Sequence, residues 1–133
     1  MAQTVTTKAY QINDELFMHH ISWQADAAGA FADTALDHPI NGRILLVDTA
    51  PGGTAPDDNY DIDLLNAEGV DVMGGALDNR DDTLTERVQP EVAGVTYEAP
   101  VRGCLTLNIS GNAVNDSQGN IFIYFKGDES AIG

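Results

Sequence analysis

An alternation of apolar and acidic residues between Asn59 and Gly75 constrains the fold more than any other feature of this sequence. In its first arm, Tyr60, Ile62 and Leu64 point to one side of an extended chain, and the intervening aspartates point to the other. A period of two is typical of a strand with one buried face. The stretch therefore predicts a β-hairpin within a β-rich fold.

The turn of this hairpin is predicted from the register of its two arms. Gly69 adopts positive φ without steric cost, which suits a three-residue loop at 67–69. That loop sets Leu64 opposite Val72, so that both side chains share the buried face with Val70. It places Met73 on the wet face, together with the aspartates, which we expect to be displayed outward at Asp61, Asp63 and Asp71.

Turn signals separate about seven or eight short strands along the chain. Besides the hairpin, the predicted strands are 4–12, 16–24, 43–49, an irregular edge strand within 91–101, 104–110 and 121–125. The most hydrophobic of them, 121–125, is expected in mid-sheet with 104–110 as its antiparallel neighbour. This pattern predicts one all-β domain over 1–133, either an antiparallel β-sandwich or a small jelly-roll-like barrel.

The segments between these strands are predicted to be long and polar. They are expected at 26–41, 50–58 and 76–102, and the tail at 127–133 is expected to be loose. The pair Asn41-Gly42 predicts a turn. Short helical turns are predicted near 33–36 and, as an alternative to an extended loop, within 77–87, where Asp82 or Thr83 would be the cap.

The charge of the chain restricts its partners. Its 133 residues include 21 acidic and 6 basic ones, for a formal net charge of −15. Such a domain repels nucleic acid, so direct DNA or RNA binding is not expected. Two interpretations of the acidity remain open, namely solubility and attraction to a basic partner surface or to divalent cations.

The remaining composition indicates assembly in a reducing compartment. Cys104 is the one cysteine and allows no internal disulfide. The sequence contains no apolar run long enough for a membrane span, and its first residues lack the layout of a secretion signal. We therefore expect assembly in a reducing cytoplasm and no membrane partner.

A run of four carboxylates is the candidate metal site, with calcium as the candidate ion. Because residues two apart on a strand share a face, two of them can ligate one ion together. Paired carboxylates can also act as acid and base on a glycoside, and a solvated strand face is the third interpretation. The candidate ligands are Asp57, Asp58, Asp61 and Asp63. A second cluster combines Asp78, Asp81 and Asp82 with Arg80 as a local counter-charge.

Other side chains capable of chemistry do not form a recognisable catalytic pattern. His19 and His20 face opposite sides of a strand, so they cannot chelate one ion, and with His38 they are expected at the surface or an edge. Cys104 is expected to be a small buried hydrophobe. With no Gly-x-Ser-x-Gly motif, the chain is not expected to be an enzyme.

The aromatic residues allow two interpretations. They line a sugar-binding platform, or they pack in the core, as a domain of this size requires. The residues concerned are Trp23, Phe31, Tyr60, Tyr97 and Tyr124.

Four segments together resemble small structural proteins encoded among the head and tail genes of tailed bacteriophages. They are the runs 21–26, 41–49, 54–75 and 105–112, and the similarity extends over about two-thirds of the chain. The region 76–102 departs from this resemblance. The resemblance rests on strand and turn signatures, and it carries over no catalytic residue.

This resemblance implies a β-sandwich with a structural role in the virion. Within that group we expect a capsid decoration (cement) protein that binds the major capsid protein, or other virion proteins, at the capsid surface. Such a protein would be made in the cytoplasm of the host bacterium. Copies are expected as dimers, trimers or lattice-bound molecules. The alternatives are a tail or head–tail component and a calcium-dependent carbohydrate-binding module for host attachment.

Overall fold

A computed structural model describes residues 2–127, and within that range it contains eleven strands and no helix. The strands are β1 Thr4–Gln11, β2 Leu16–Gln24, β3 Thr34–Ala35, β4 Ile40–Pro51, β5 Asp61–Leu65, β6 Glu86–Val88, β7 Glu91–Val92, β8 Val95–Thr96, β9 Ala99–Gly103, β10 Thr106–Ser110 and β11 Gln118–Gly127. All pairings are antiparallel, so the predicted all-β class is confirmed. The predicted loose tail falls largely on 128–133, outside the described residues.

A six-stranded sheet forms the larger layer and curls into a half-barrel. Its order is β1-β2-β11-β4-β6, with β9 paired to the first part of β4. A three-stranded sheet of order β3-β10-β5 forms the second layer, and β7 and β8 form a separate hairpin. The strands predicted at 4–12 and 16–24 are confirmed as β1 and β2.

One hydrophobic core joins the inner faces of the two sheets. Side chains from both sheets are fully buried in it and include Phe17, Ile21, Ile44, Val47, Ile62, Leu64, Leu107, Ile121, Ile123 and Phe125. Each large apolar side chain buried in this way contributes about 1.5–3 kcal/mol. The strict alternation in β2, β10 and β11 therefore fixes which side of each strand faces the core.

The central position predicted for 121–125 is confirmed, but its predicted partner is wrong. β11 lies between β2 and β4, whereas β10 lies between β3 and β5 in the other sheet. The connection at 111–117 crosses between sheets, because Ala25 N–H donates to the Ser117 carbonyl and aligns the start of β11 with the end of β2. Local alternation cannot distinguish the two sheets, since both bury one face.

The predicted turn at Asn41-Gly42 is wrong, because both residues lie inside β4. Gly42 pairs with Val101 on one side and Gly127 on the other. A Cβ at Gly42 would lie 1.8 Å from the Lys126 carbonyl oxygen. The glycine is thus required by close packing of backbones rather than by a turn.

The hairpin at 59–75 has the predicted loop but only one regular arm. Asn66 N–H donates to the Val70 carbonyl and Val72 N–H to the Leu64 carbonyl, which confirms the register of the three-residue loop. The second arm is a single bridge followed by turns. The predicted inward Val70 is 56% exposed and the predicted outward Met73 is fully buried, so these two assignments are wrong.

Two predicted helical turns are also replaced by other structure. The segment near 33–36 contains β3. Within 77–87, Asp81 rather than Asp82 or Thr83 caps a turn, as its Oδ1 accepts N–H bonds from Thr83 and Leu84. The irregular strand predicted at 91–101 is three short strands, and Pro100 lies within the edge strand β9 rather than ending it.

Candidate functional site

The outward face of the six-stranded sheet is the candidate functional site. Residues paired across antiparallel strands share a face, so the outward side chains form rows that cross the sheet. One such row contains Tyr10, Met18, Tyr124 and Leu46, which are paired in that order from β1 to β4. A sheet with one buried face normally carries polar side chains on the other. An apolar row on the open side of the sheet is therefore unusual and indicates a contact with another molecule.

Phe122 extends this apolar row into the next row of the sheet. Its ring stacks on the ring of His20, with centroids 4.3 Å apart and planes 15° apart. The outward side chains of Tyr10, Met18, Leu46, Phe122 and Tyr124 together are called the docking face below. Tyr10 is 44% exposed, and the other four are partly exposed.

Basic side chains surround the docking face. Five of the six Lys and Arg residues of the chain lie at outward positions of this sheet, namely Lys8, Arg43, Arg87, Arg102 and Lys126. The Arg87 guanidinium lies 5.8 Å from the centre of the Tyr124 ring, within the range of a cation–π contact. This side of the molecule thus carries most of the basic residues of a strongly acidic chain.

Two ion pairs hold arginines of this rim in place. Arg87 donates to the two carboxylate oxygens of Asp48 at 2.6 and 2.9 Å, and this bidentate bond raises the pKa of Arg87. Arg43 lies 3.1 Å from a carboxylate oxygen of Glu98. Both pairs are solvent-exposed on at least one side, so they orient the side chains more than they stabilise the fold.

The opposite side of the molecule carries a concentration of carboxylates, called the acidic face below. It consists of Asp33, Asp61, Asp63, Asp71 and Asp78, which lie on or beside the second sheet. Partial burial raises the pKa of Asp63, and the neighbouring carboxylates raise it further. The pKa of Asp78 is raised by burial and then by Asp61 and Asp71.

The structure does not gather the four predicted calcium ligands into one set. Asp57 accepts an N–H bond from Ala113 at 2.7 Å, and Asp61 accepts one from Asn79 at 2.9 Å. Asp61 and Asp63 share the outward face of β5, as predicted. Calcium binding stays a prediction, and a saturable rise in the thermal midpoint with calcium, lost in Asp61→Asn, would establish it.

A different trio of carboxylates converges nearby. Within residues 2–127, Asp58, Asp81 and Asp82 each place one carboxylate oxygen within 4.8 Å of those of the other two. Hydrogen bonds from Thr83 and Leu84 lower the pKa of Asp81. Asp58 is distant along the chain from Asp81 and Asp82, so the sequence alone places the trio in two separate clusters.

Arg80 of the second predicted cluster is a structural residue. Its side chain is 8% exposed, lies 3.5 Å from a carboxylate oxygen of Glu86 and donates to the Asp78 carbonyl oxygen at 3.1 Å. Its main counter-charge is therefore Glu86, which the sequence alone does not indicate. A buried charge of this kind holds the loops around it together, because an unpaired one would be costly.

His19 and Cys104 lie in environments that differ from those expected. His19 and His20 face opposite sides of β2, as predicted, but His19 is buried at 2% exposure and its ring centre lies 5.6 Å from that of His38. The expected surface or edge position is therefore wrong for His19. Cys104 is exposed rather than buried, because it lies in the bend between β9 and β10.

Two of the aromatic residues considered for a sugar platform are buried in the core. Trp23 is 2% exposed and Tyr60 is 1% exposed, with ring centres 5.9 Å apart. Phe31 packs against Trp23 at 5.9 Å. Burial raises the pKa of Tyr60 to about 12. The core-packing interpretation is therefore confirmed for these three, while Tyr124 belongs to the docking face.

The docking face has a signal in the sequence that is not specific enough to predict it. The runs 44–47 and 121–125 are apolar at outward as well as inward positions. Such runs predict central strands. In a sheet covered on both faces that interpretation is complete, but this sheet has a second layer on one face only. The outward apolar residues therefore have no covering layer within residues 2–127.

Comparison of the chain with models of known protein families, with curated protein sequences and with solved structures finds no match. Among residues 2–127 there is also no helix both long and apolar enough to cross a membrane. What this protein binds is therefore inferred from the chemistry of its docking face and its acidic face.

Proposed function

We propose that this protein is a bacteriophage virion structural protein, a capsid decoration protein that binds the lattice of the major capsid protein through its docking face. The observation that carries the proposal is an apolar, aromatic sheet face with a basic rim on a chain whose net charge is −15. The resemblance of four segments to structural proteins of tailed bacteriophages supports the same class of function.

The composition of the docking face suits a protein partner. Its centre combines two tyrosines, a phenylalanine, a methionine and a leucine, and arginines lie at its rim. Aromatic residues, methionine and arginine are enriched in protein–protein interfaces. The row from Tyr10 to Leu46 crosses four strands and spans about 15 Å at the usual strand spacing. This width suits a broad, flat contact better than a small ligand.

The distribution of charge predicts which side of the protein faces the capsid. The basic rim favours an apolar patch bordered by acidic groups on the capsid protein. The acidic face, on the other side of the domain, then faces solvent and keeps neighbouring particles apart. The acidic face needs no partner in this arrangement. Many copies on one lattice give high avidity even where each single contact is weak.

The first test is the presence of the protein in purified virions of the phage that encodes it. We expect mass spectrometry to detect it in particles, and cryo-electron microscopy to place its density on the capsid with the docking face inward. Its absence from virions would overturn the proposal. Density on the tail would instead favour the alternative of a tail or head–tail component.

The second test measures rebinding of purified variants to particles that lack the protein. Replacement of an aromatic residue at the centre of an interface costs about 2 kcal/mol or more, which is about 30-fold in affinity. We therefore expect Phe122→Ala and Tyr124→Ala to lose about that factor. Asp63→Asn on the acidic face is the matched control and keeps wild-type binding. Equal losses in all three variants would contradict docking through this face.

A further inference from the structure

β1 lies at one edge of the six-stranded sheet, and within residues 2–127 no second strand pairs with its outer side. Next to its start, the Gln3 side chain bonds to Ala32 and Thr34, and this contact lies outside β1 itself. It pairs with β2 over all eight residues, Thr4 to Gln11, without a shift in register. A long regular edge strand is a template for another strand, and natural proteins usually protect such edges. The segment from Thr4 to Gln11 is also rich in threonine, valine and tyrosine, which favour strands.

The other edge strands among residues 2–127 are short, contain a proline or are covered by backbone hydrogen bonds. β6 is only three residues long, and β9 contains Pro100. The free side of β5 is covered, because Ile62 N–H donates to the Leu77 carbonyl and Arg80 N–H donates to the Tyr60 carbonyl. β1 contains neither a proline nor a bulge, and Lys8 is its one charged residue. The difference marks β1 as the edge that is suited to a partner strand.

Two hydrogen bonds identify the backbone groups that point outward from this edge. Ile12 N–H donates to the Leu16 carbonyl, so the even-numbered residues of β1 bond to β2. Ala25 N–H donates to Ser117, which assigns the odd-numbered residues of β2 to β11 and agrees with that alternation. The N–H and C=O groups of Val5, Thr7, Ala9 and Gln11 therefore point to the open edge.

We infer that β1 pairs antiparallel with β1 of a second copy of this chain, in a symmetric dimer whose twofold axis passes beside Thr7. Among registers that pair odd with odd residues, those with the longest overlap of the two strands have their centre at Thr7 or at Lys8. A centre at Lys8 would place the two lysines directly opposite each other, which is destabilising. A centre at Thr7 sets Lys8 opposite Thr6 and Val5 opposite Ala9 instead.

Charge favours a second copy as the occupant of this edge. From residue 2 to residue 13 the chain has no acidic residue, so two molecules of net charge −15 approach each other here with the least local repulsion. A strongly basic partner would be attracted to the acidic face, which lies on the other sheet. A twofold axis perpendicular to the sheet also turns both docking faces to the same side. Pairing takes place in solution, whether or not the chain binds a capsid.

The self-pairing is tested by sedimentation equilibrium over a range of protein and salt concentrations. Salt screens the repulsion between the two acidic molecules, so we expect the dimer to tighten as sodium chloride increases. Hydrogen exchange supplies the second readout. The amides of Val5, Thr7, Ala9 and Gln11 gain protection as the dimer forms, whereas those of Thr6, Lys8 and Tyr10 are protected in both states.

Two pairs of variants test the edge and the register. Thr7→Pro removes an outward N–H without breaking a bond to β2, and it weakens dimerisation by about 30-fold through the loss of two hydrogen bonds. Thr7→Val keeps the N–H and is the matched control. Thr6→Glu, opposite Lys8 of the other copy, tightens the dimer by about threefold to tenfold, and Thr6→Lys weakens it by a similar factor.

Several outcomes would overturn the inference. A chain that stays monomeric at high salt and high protein concentration excludes the second copy. Protection of the odd-numbered amides only on virions would show that a capsid strand occupies the edge instead. Equal effects of Thr6→Glu and Thr6→Lys would exclude the register. Tyr124→Ala leaves the solution dimer intact, so loss of capsid binding and loss of dimerisation are separate results.

Discussion

The outward faces of the two sheets follow the same alternation and yet differ in chemistry. In the three-stranded sheet the outward positions of β5 and β10 hold Asp61, Asp63, Asn108 and Ser110. In the six-stranded sheet the corresponding positions form the docking face. Water explains the first set without any partner, because each polar side chain remains hydrated. The second set leaves apolar area exposed, and large exposed apolar patches on soluble domains mark contacts with other molecules.

The largest expected effect is a difference in stability between substitutions on the inward and outward sides of β11. In β11, Ile123 points into the core and Tyr124 points outward. We expect Ile123→Ala to lower the free energy of unfolding by about 3 kcal/mol, because it leaves a cavity. Tyr124→Ala should lower it by less than about 1 kcal/mol, since its ring contacts solvent. Urea unfolding measures both. Equal costs would show that Tyr124 has a role in folding and would weaken its assignment to a docking surface.

A smaller effect separates two residues within the acidic face. The Asp71 carboxylate accepts N–H bonds from Leu64, Met73 and Gly75 at 3.2, 3.1 and 2.8 Å. Asp71→Ala leaves these amides without that acceptor and should cost about 2 kcal/mol. Asp63→Ala is the control and should cost little, because repulsion among the carboxylates is relieved. A cost for Asp63→Ala as large as that for Asp71→Ala, measured by thermal unfolding, would contradict this division.

The smallest expected effect is the response of the acidic face to pH. The pKa of Asp63 and that of Asp78 are raised above the ordinary value of 3.8, so the folded chain binds more protons there than the unfolded chain. Their contribution to stability therefore increases as the pH falls through the raised pKa values toward 3.8. The gain is below about 1 kcal/mol per carboxyl, because both groups are partly hydrated. The difference in unfolding free energy between the wild type and Asp63→Asn should change in this window, and a constant difference would refute the effect.

The elements predicted correctly from the sequence are those whose signal is local. Alternation in β1, β2 and β10 identified the strands and the buried face, and Gly69 identified the loop of the hairpin. Failures occurred where a distant contact overrides the local signal. Gly42 resembles a turn residue, but its neighbours in space are Val101 and Gly127, far away along the chain. Asp71 resembles a strand residue, but its carboxylate accepts the N–H groups of Leu64 and Met73 and so joins the first arm to the turns that follow.

The candidate site depended still more on distant contacts. Met18, Leu46 and Tyr124 come from three strands that are separated along the chain, and only their pairing places them in one row. The basic residues are likewise scattered in the sequence, so that net charge alone indicates a uniformly acidic protein. Segregation of charge between two faces is a property of the folded molecule.

The amino-acid sequence by itself determined the class of fold, the inward face of most long strands and the net charge, because each depends on the period of side chains along a strand or on composition. The tertiary structure decided which sheet each strand joins, and therefore which outward residues are neighbours. Two strands with the same alternation are equivalent until hydrogen bonds such as that from Ala25 to Ser117 select the partner. That selection turned isolated apolar residues into a docking face, and it left β1 as an edge.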